Sequence, residues 1–197
     1  MLCVMGVLKT KKGLLVKDRI SNYLKERFNI LYIEQEPPGT LYEYPAIKYA
    51  LQMAVEMNEP VLYIHTKGAA DPGHEWYQKS AKQMWEHEFG TDKVCKIYNM
   101  LNTNEPMIAC PIVGQNNATW FNGKMINPAA AKIILETYHF NKDRYYYEWD
   151  MQSDKRIKVI GTLYSNKIIT SWTDKTLINN FKTKVLELTK DFKDIDY

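Results

Sequence analysis

Hydrophobic positions in the first third of the chain alternate between strand-like and helix-like spacing. Continuous apolar runs predict three buried strands, at 1–8, 29–33 and 61–64. After a predicted turn at 11–13, residues 16–28 carry apolar side chains three or four positions apart, and residues 44–57 do the same, which predicts two amphipathic helices. Because the connectors are short, the pattern predicts a β-α-β-α-β unit with a parallel, helix-covered sheet.

In the remaining two thirds of the chain, the pattern predicts more helices and fewer strands. Helical spacing or a helix-opening proline predicts helices at 73–89, about 92–101, 128–137 and 177–192. An apolar run predicts a strand at 107–113, and 156–164 with 167–172 predict a hairpin that turns at Ser165-Asn166. We find no repeat, low-complexity stretch or linker, so the sequence predicts one α/β domain.

The composition is that of a globular protein of 197 residues, with 45% hydrophobic and 25% charged residues. A net charge of +3 is too small to indicate a nucleic-acid-binding surface. The chain is rich in aromatic residues, with 14 Tyr, 5 Trp and 6 Phe. Such side chains suit sugar and nucleoside surfaces, and they also fill ordinary cores.

Cysteine spacing and the first residues predict the compartment. Cys3, Cys95 and Cys110 form no short-spaced pair, so the sequence predicts neither a disulfide framework nor a zinc site. The apolar run at 1–8 is too short to span a bilayer and has no basic residue before it, unlike a signal peptide. We therefore expect a cytoplasmic protein without a membrane span.

Three common nucleotide and hydrolase motifs are missing from the sequence. There is no G-x-G-x-x-G after the first strand, no G-x-x-x-x-G-K-[ST] and no G-x-S-x-G. Rossmann dehydrogenases, P-loop NTPases and α/β-hydrolases are therefore poor interpretations.

Polar residues follow each predicted parallel strand, where open α/β sheets bind ligands. Lys9 follows the first strand, and His65-Thr66-Lys67-Gly68 follows the third. Lys67 could neutralise a phosphate, His65 could donate to one, and Asp71 is a suitable oxygen ligand for Mg²⁺ or Mn²⁺. The structural alternative is that His65 bonds a backbone carbonyl, Lys67 is solvated and Asp71 caps the next helix.

Two aromatic segments offer further candidates. Trp120 and Asn122, in Trp120-Phe121-Asn122-Gly123, could form a platform that stacks on a sugar ring and bonds its hydroxyls, or a packed turn with Gly123 at positive φ. In Tyr145-Tyr146-Tyr147-Glu148-Trp149-Asp150, Glu148 or Asp150 could deprotonate an acceptor hydroxyl. The alternative there is an exposed carboxylate beside core aromatics.

Taken in order, these segments resemble a known family. Tyr63-Ile64-His65-Thr66-Lys67-Gly68, a helix carrying Trp85, the turn at 120–123 and the segment at 144–149 resemble the "HTKG" glycosyltransferase-like proteins of bacterial polysaccharide loci and large algal viruses, related to rhamnan-synthesis proteins. The similarity covers roughly residues 29–150, and the tetrapeptide is its most specific part.

The resemblance implies a single GT-A-like domain at 1–197, with a central, mixed, mostly parallel sheet flanked by helices. Residues 1–70 would form its nucleotide-binding half and residues 71–197 its acceptor half. It implies transfer of a hexose from a nucleoside diphosphate sugar, UDP favoured, to a glycan or glycoprotein hydroxyl. Together with the strand-end positions, it assigns donor binding to Lys9, Tyr44, His65, Thr66, Lys67, Gly68, Trp120, Asn122 and Gly123.

Metal and base assignments also follow from the resemblance. His65-Thr66-Lys67 stands where the GT-A fold has Asp-x-Asp, so Asp71 alone takes the role of ligand to Mn²⁺ or Mg²⁺. A late acidic residue, Glu148 in preference to Asp150, takes the role of base. The missing Asp-x-Asp favours one alternative, a non-catalytic glycan- or nucleotide-binding domain. The other alternative is a nucleotidyl- or phosphoryltransferase that uses the same crevice.

Overall fold

The structure is a computed structural model. It describes the residues at 1–36, 43–65, 75–114, 117–120, 123–141, 144–147, 150–168 and 174–192. Within these ranges the chain forms seven strands and six α-helices.

The elements follow one another in a mostly alternating order. The first half contains β1 (Leu2–Leu8), α1 (Lys11–Leu24), β2 (Asn29–Gln35), α2 (Tyr44–Met57), β3 (Val61–His65), α3 (Glu75–Phe89) and α4 (Lys93–Leu101). The second half contains β4 (Met107–Gly114), β5 (Thr119–Trp120), β6 (Lys124–Ile126), α5 (Pro128–Thr137), 3-10 turns at Arg144–Tyr147 and Asp150–Gln152, β7 (Lys158–Ile168) and α6 (Lys175–Thr189).

All seven strands belong to one mixed sheet, whose order is β2-β1-β3-β6-β4-β5, with β7 also paired to β4. β1 pairs in parallel with β2 and β3, and β4 pairs in parallel with β7. β6 lies antiparallel between β3 and β4, and β5 is antiparallel to β4. The predicted α/β class, with a mixed, mostly parallel sheet flanked by helices, is therefore confirmed.

The sheet has a hydrophobic core on each face. One face packs against α1, α3, α4 and α6, through side chains that include Ile20, Trp85, Ile97 and Phe181. The other packs against α2, α5 and both 3-10 turns, through side chains that include Ile47, Ala130, Tyr147 and Met151. Because β1 and β3 contribute to both cores, their uninterrupted apolar sequences are explained by burial on two sides.

Helix α1 begins earlier than its sequence predicts. The expected turn at 11–13 is the first turn of the helix, because the Thr10 hydroxyl accepts a hydrogen bond from the Gly13 nitrogen at 2.9 Å and caps it. A Cβ at Gly13 would collide with the carbonyl oxygen of Leu8. The glycine that suggests a turn in the sequence thus lets the helix start directly against the end of β1.

The predicted hairpin at the end of the sheet is wrong. Residues 158–168 form one strand, β7, which passes through Ser165-Asn166 in parallel with β4. Tight two-residue hairpins favour glycine at the turn, and this dipeptide has none. Register shifts between Cys110 and Gly114 let the long strand follow its partner.

The described part of the chain contains no helix long and apolar enough to cross a bilayer. Its three cysteines are free; Cys3 and Cys110 are buried and Cys95 is exposed. The sheet also combines strands from both predicted halves of the domain, since β6 lies directly beside β3.

The buried side chain of Asn127 joins α5 to the loop before β4. Its amide nitrogen donates to the carbonyl oxygens of Leu101, Thr103 and Glu105, at 3.2, 3.2 and 2.7 Å. Its oxygen accepts from the backbone nitrogens of Met107 and Ala130, the second contact being the N-cap of α5. One side chain is thus within hydrogen-bond distance of five backbone groups, with the two amide hydrogens shared among three carbonyl oxygens.

We predict that Asn127→Ala lowers the free energy of unfolding by about 2–4 kcal/mol, because it removes a cap and leaves buried backbone groups unsatisfied. Urea denaturation followed by circular dichroism measures the change. Asn104→Ala, at an exposed position of the same loop, is the control and should change stability by less than about 0.5 kcal/mol. Equal stability of the two variants would contradict the role of Asn127.

Candidate functional site

The candidate site lies along one edge of the sheet. β1, β2, β3, β4 and β7 run in the same direction, so their carboxyl ends share an edge, here called the carboxyl edge. β6 starts at this edge because it runs the opposite way. Ligands of open α/β sheets bind at such edges.

His65, Glu43 and Tyr63 meet at the centre of the carboxyl edge. His65 ends β3, and its Nδ1 lies 3.2 Å from Glu43 Oε1 and 3.2 Å from the Tyr63 hydroxyl. The His65 side chain is 12% exposed and the Glu43 side chain 18% exposed. The group therefore combines a carboxylate, an imidazole and a phenol in a largely desolvated place that solvent still reaches.

Close packing of β1, β3 and α2 brings these three side chains together. Gly6 of β1 is paired with His65, and a Cβ at this position would lie 3.1 Å from Ala46 Cβ and 3.4 Å from His65 Cβ. A larger residue would push α2 away from the sheet. Glycine therefore allows the first turn of α2 to lie beside the end of β3.

Glu43 has a second set of neighbours in a group of aromatic side chains. Burial, followed by the charges of Tyr147 and Glu43, raises the pKa of Tyr138 far above its usual value. Burial is also the largest cause of the raised pKa of Tyr147, to which the Glu43 charge contributes. These phenols thus stay neutral and act as hydrogen-bonding and packing groups beside the carboxylate.

A fully buried lysine, Lys124, lies next to β3 at the start of β6. Its ammonium donates to Thr119 Oγ1 at 3.0 Å, the Tyr147 carbonyl at 2.7 Å and Gln152 Oε1 at 3.3 Å. The Gln152 amide in turn donates to Thr119 Oγ1 at 3.2 Å. We call these four residues the Lys124 network; it gives an acceptor to each of the three ammonium hydrogens.

The Lys124 network brings distant parts of the sequence to the carboxyl edge. Lys124 is paired with Tyr63 in the sheet, two residues before His65. In the sequence, Thr119 and Lys124 lie on either side of the predicted sugar platform at 120–123. Tyr147 and Gln152 lie on either side of the predicted base Glu148. The described residues on either side of these two candidate segments therefore meet at Lys124, next to β3.

Lys9 and Tyr44 are both at this edge, and both have partners within the protein. The Lys9 ammonium forms an ion pair with Glu36 at 2.5 Å, whose hydrogen bond and charge raise the pKa of Lys9. The Tyr44 ring stacks on Tyr138, with centroids 5.2 Å apart, and meets Phe140 edge-on. A nucleotide-sugar donor would have to displace Glu36 before it could bind Lys9. Tyr44 instead contributes to the packing of the aromatic side chains.

Gly123 is explained by packing and not by a turn that needs positive φ. Its φ lies outside the left-handed region, and a Cβ would collide with the buried indole of Trp85. The alternative of a turn with Gly123 at positive φ is therefore wrong. Gly123 lets the chain pass over Trp85 before β6 begins.

Several predicted site residues lie outside the described residues: Thr66, Lys67, Gly68, Asp71, Asn122 and Glu148. For Trp120 and Asp150 the structure describes the backbone alone, at the end of β5 and the start of the second 3-10 turn. Within the described ranges, no three His, Cys, Asp or Glu side chains are placed to hold a metal ion.

Two functional candidates were not identified from the sequence, Glu43 and Lys124. Glu43 precedes Tyr44-Pro45, where a proline marks the first turn of a helix, so its position at the carboxyl edge is readable from the pattern. Lys124 is a lysine within a short apolar stretch, and no sequence signal distinguishes a buried lysine of this kind from an exposed one.

No protein-family model, curated protein or solved structure matches this chain.

We predict that Lys124→Met lowers the free energy of unfolding by about 2–4 kcal/mol, because it leaves the buried acceptors of the Lys124 network without this donor. Thermal and urea unfolding measure the loss. Lys132→Met on α5 makes the same chemical change at an exposed position and should be nearly neutral. If both variants unfold alike, the Lys124 network does not hold the carboxyl edge together.

Proposed function

We propose that this chain is a GT-A-like glycosyltransferase that moves a hexose from a nucleoside diphosphate sugar, UDP-linked in the favoured case, to a hydroxyl of a glycan or glycoprotein. The proposal rests on the resemblance carried by His65-Thr66-Lys67-Gly68 and on one structural observation. That observation is the position of His65, at the carboxyl end of the buried central strand β3 and beside the reversed strand β6.

The position of His65 suits a charged donor. β6 runs opposite to β3, so the end of β3 and the start of β6 lie side by side at the carboxyl edge, where open α/β sheets bind ligands. His65 contributes a hydrogen-bond donor there, and Lys67 follows two residues later in the sequence. Both side-chain types stabilise the negative charge that builds up on a leaving diphosphate.

The acceptor side is assigned to the segment after Tyr147. In the proposed reaction the bond between the anomeric carbon and the diphosphate oxygen breaks, and the diphosphate leaves with the electron pair. The acceptor oxygen forms the new bond, and its proton passes to a carboxylate, Glu148 in preference to Asp150. The Lys124 network supports this assignment because it binds the Tyr147 carbonyl, immediately before Glu148.

The proposed metal, Mn²⁺ or Mg²⁺, is not accounted for by the described residues. At the carboxyl edge Glu43 and His65 carry suitable groups, and their side chains are in ion-pair contact with each other. We therefore keep Asp71 as the proposed ligand and assign no step of the reaction to the metal.

We predict that one nucleoside diphosphate stabilises the protein in a thermal-shift panel of UDP, GDP, CDP, ADP and dTDP, each with and without Mn²⁺. A ligand at 100 times its dissociation constant raises the melting temperature of a domain of this size by about 5–10 °C. A shift with UDP that grows with Mn²⁺ supports the proposal and the metal assignment. Preference for a nucleoside triphosphate in the same assay would favour nucleotidyl or phosphoryl transfer, and no shift at all would favour a non-catalytic glycan-binding domain.

We also predict that the two proposed carboxylates separate binding from turnover. Glu148→Gln should lower kcat by roughly 10²–10⁴-fold and leave the dissociation constant of UDP unchanged, because a base acts only on the acceptor. Asp71→Ala should instead weaken UDP binding in the presence of Mn²⁺. Sugar-nucleotide turnover and calorimetric titration measure the two effects, and full activity in both variants would refute the site assignment.

A further inference from the structure

The imidazole of His65 is bonded through one of its two nitrogens. Nδ1 contacts the Glu43 carboxylate and the Tyr63 hydroxyl, whereas Nε2 has no hydrogen-bond partner among the described residues. An ionised carboxylate can only accept a hydrogen bond. The contact of 3.2 Å between Nδ1 and Glu43 Oε1 is therefore attractive only when Nδ1 carries hydrogen.

Local helix structure does not account for a glutamate at position 43. The residue is the N-cap of α2, yet its side chain makes no capping hydrogen bond. A Ser, Thr, Asn or Asp in this position would typically stabilise the helix through the cap. The glutamate carboxylate is instead directed to His65, and the positive end of the helix dipole stabilises its negative charge.

The hydrogen on Nδ1 determines what Nε2 can do. When the ring carries a second proton, that proton is on Nε2, and the ring donates to an anion through the one nitrogen that has no partner within the described protein. Tyr63 contacts the same nitrogen as Glu43, and on the β1 side a Cβ at Gly6 would lie 3.4 Å from His65 Cβ.

We propose that Glu43 is a positioning residue for the donor phosphates. It anchors the Nδ1–H of His65, and the Nε2–H of the doubly protonated ring donates a hydrogen bond to the diphosphate of the nucleotide. This inference rests on the proposed function and specifies it: the ligand of Nε2 is a phosphate oxygen. Carboxylate–histidine pairs orient imidazoles in the same way where histidine binds metals or acts in catalytic triads.

The experiment uses the full chain and three variants. Glu43→Gln keeps an acceptor oxygen of the same size, Glu43→Ala removes it, and Glu56→Gln makes the conservative change at an exposed position of the same helix. Nitrogen-15 spectra of histidine-labelled protein report which ring nitrogen carries hydrogen, and His65→Asn assigns the His65 signals. Calorimetric titration with UDP, and with inorganic pyrophosphate as a probe without nucleoside, measures binding.

We expect the neutral His65 ring of the unmodified protein and of Glu43→Gln to carry hydrogen on Nδ1, and that of Glu43→Ala to lose this preference. In the UDP complex both ring nitrogens should carry hydrogen, because Nε2 donates to a phosphate oxygen only when it is protonated. Glu43→Ala should weaken UDP and pyrophosphate binding by about 10-fold, in line with the loss of other imidazole-orienting carboxylates. Glu43→Gln should weaken it less, because a neutral acceptor makes the weaker hydrogen bond. Glu56→Gln should bind as the unmodified protein does.

Two results would overturn the inference directly. One is a His65 ring that lacks hydrogen on Nδ1 or on Nε2 when UDP is bound to the unmodified protein, which requires no variant to fold. The other is unchanged UDP affinity in both Glu43 variants. If the unmodified protein binds none of the nucleoside diphosphates, the proposed function fails together with this inference. If it binds UDP and the Glu43 variants bind equally well, the inference alone fails.

Discussion

A positive charge buried in the sheet determines how the carboxyl edge is built. An ammonium taken out of water is strongly destabilising unless its hydrogens find acceptors. Lys124 finds them on β5, on the first 3-10 turn and on the second, and so ties all three elements to the start of β6. Moving any one acceptor away from the ammonium would destabilise the folded state. The polar contacts of Lys124 therefore fix the relative positions of these elements, which apolar packing alone would determine less precisely.

The reversed strand β6 is what makes such a contact possible. A parallel strand in its place would begin at the opposite edge, and its first residue would lie far from the end of β3. Because β6 runs against its neighbours, its first residue, Lys124, lies beside Tyr63 at the carboxyl edge. The short strand thus connects the His65, Glu43 and Tyr63 group on one side with the Lys124 network on the other.

The sequence predicts the elements that are long and periodic, and it fails where tertiary contacts decide. Helix α2 and helix α5 have the predicted bounds, because apolar spacing and an initial proline define them locally. The short strands β5 and β6 have too few residues to show a periodic pattern. β7 continues through Ser165-Asn166 because it pairs with β4, and the local sequence does not indicate this pairing.

The candidate site follows the same division. His65 is predictable, since it follows a buried strand whose end must lie at the binding edge. Glu43 is 22 residues earlier in the sequence and reaches His65 only because Gly6 allows α2 to approach β1 and β3. For Gly123 the sequence suggests a turn, but the structure shows that a glycine is needed there because the chain passes close to Trp85. In each case the missing information is a neighbour from another element.

The late position of β7 has a consequence for how the chain folds during synthesis. β4 is buried along its whole length, and its partner β7 begins about 50 residues further along the chain. Until those residues leave the ribosome, one long edge of an apolar strand has no partner, and exposed strand edges pair readily with other chains. Closing the sheet is therefore a late, long-range event, and the interval before it is when aggregation competes most strongly with folding.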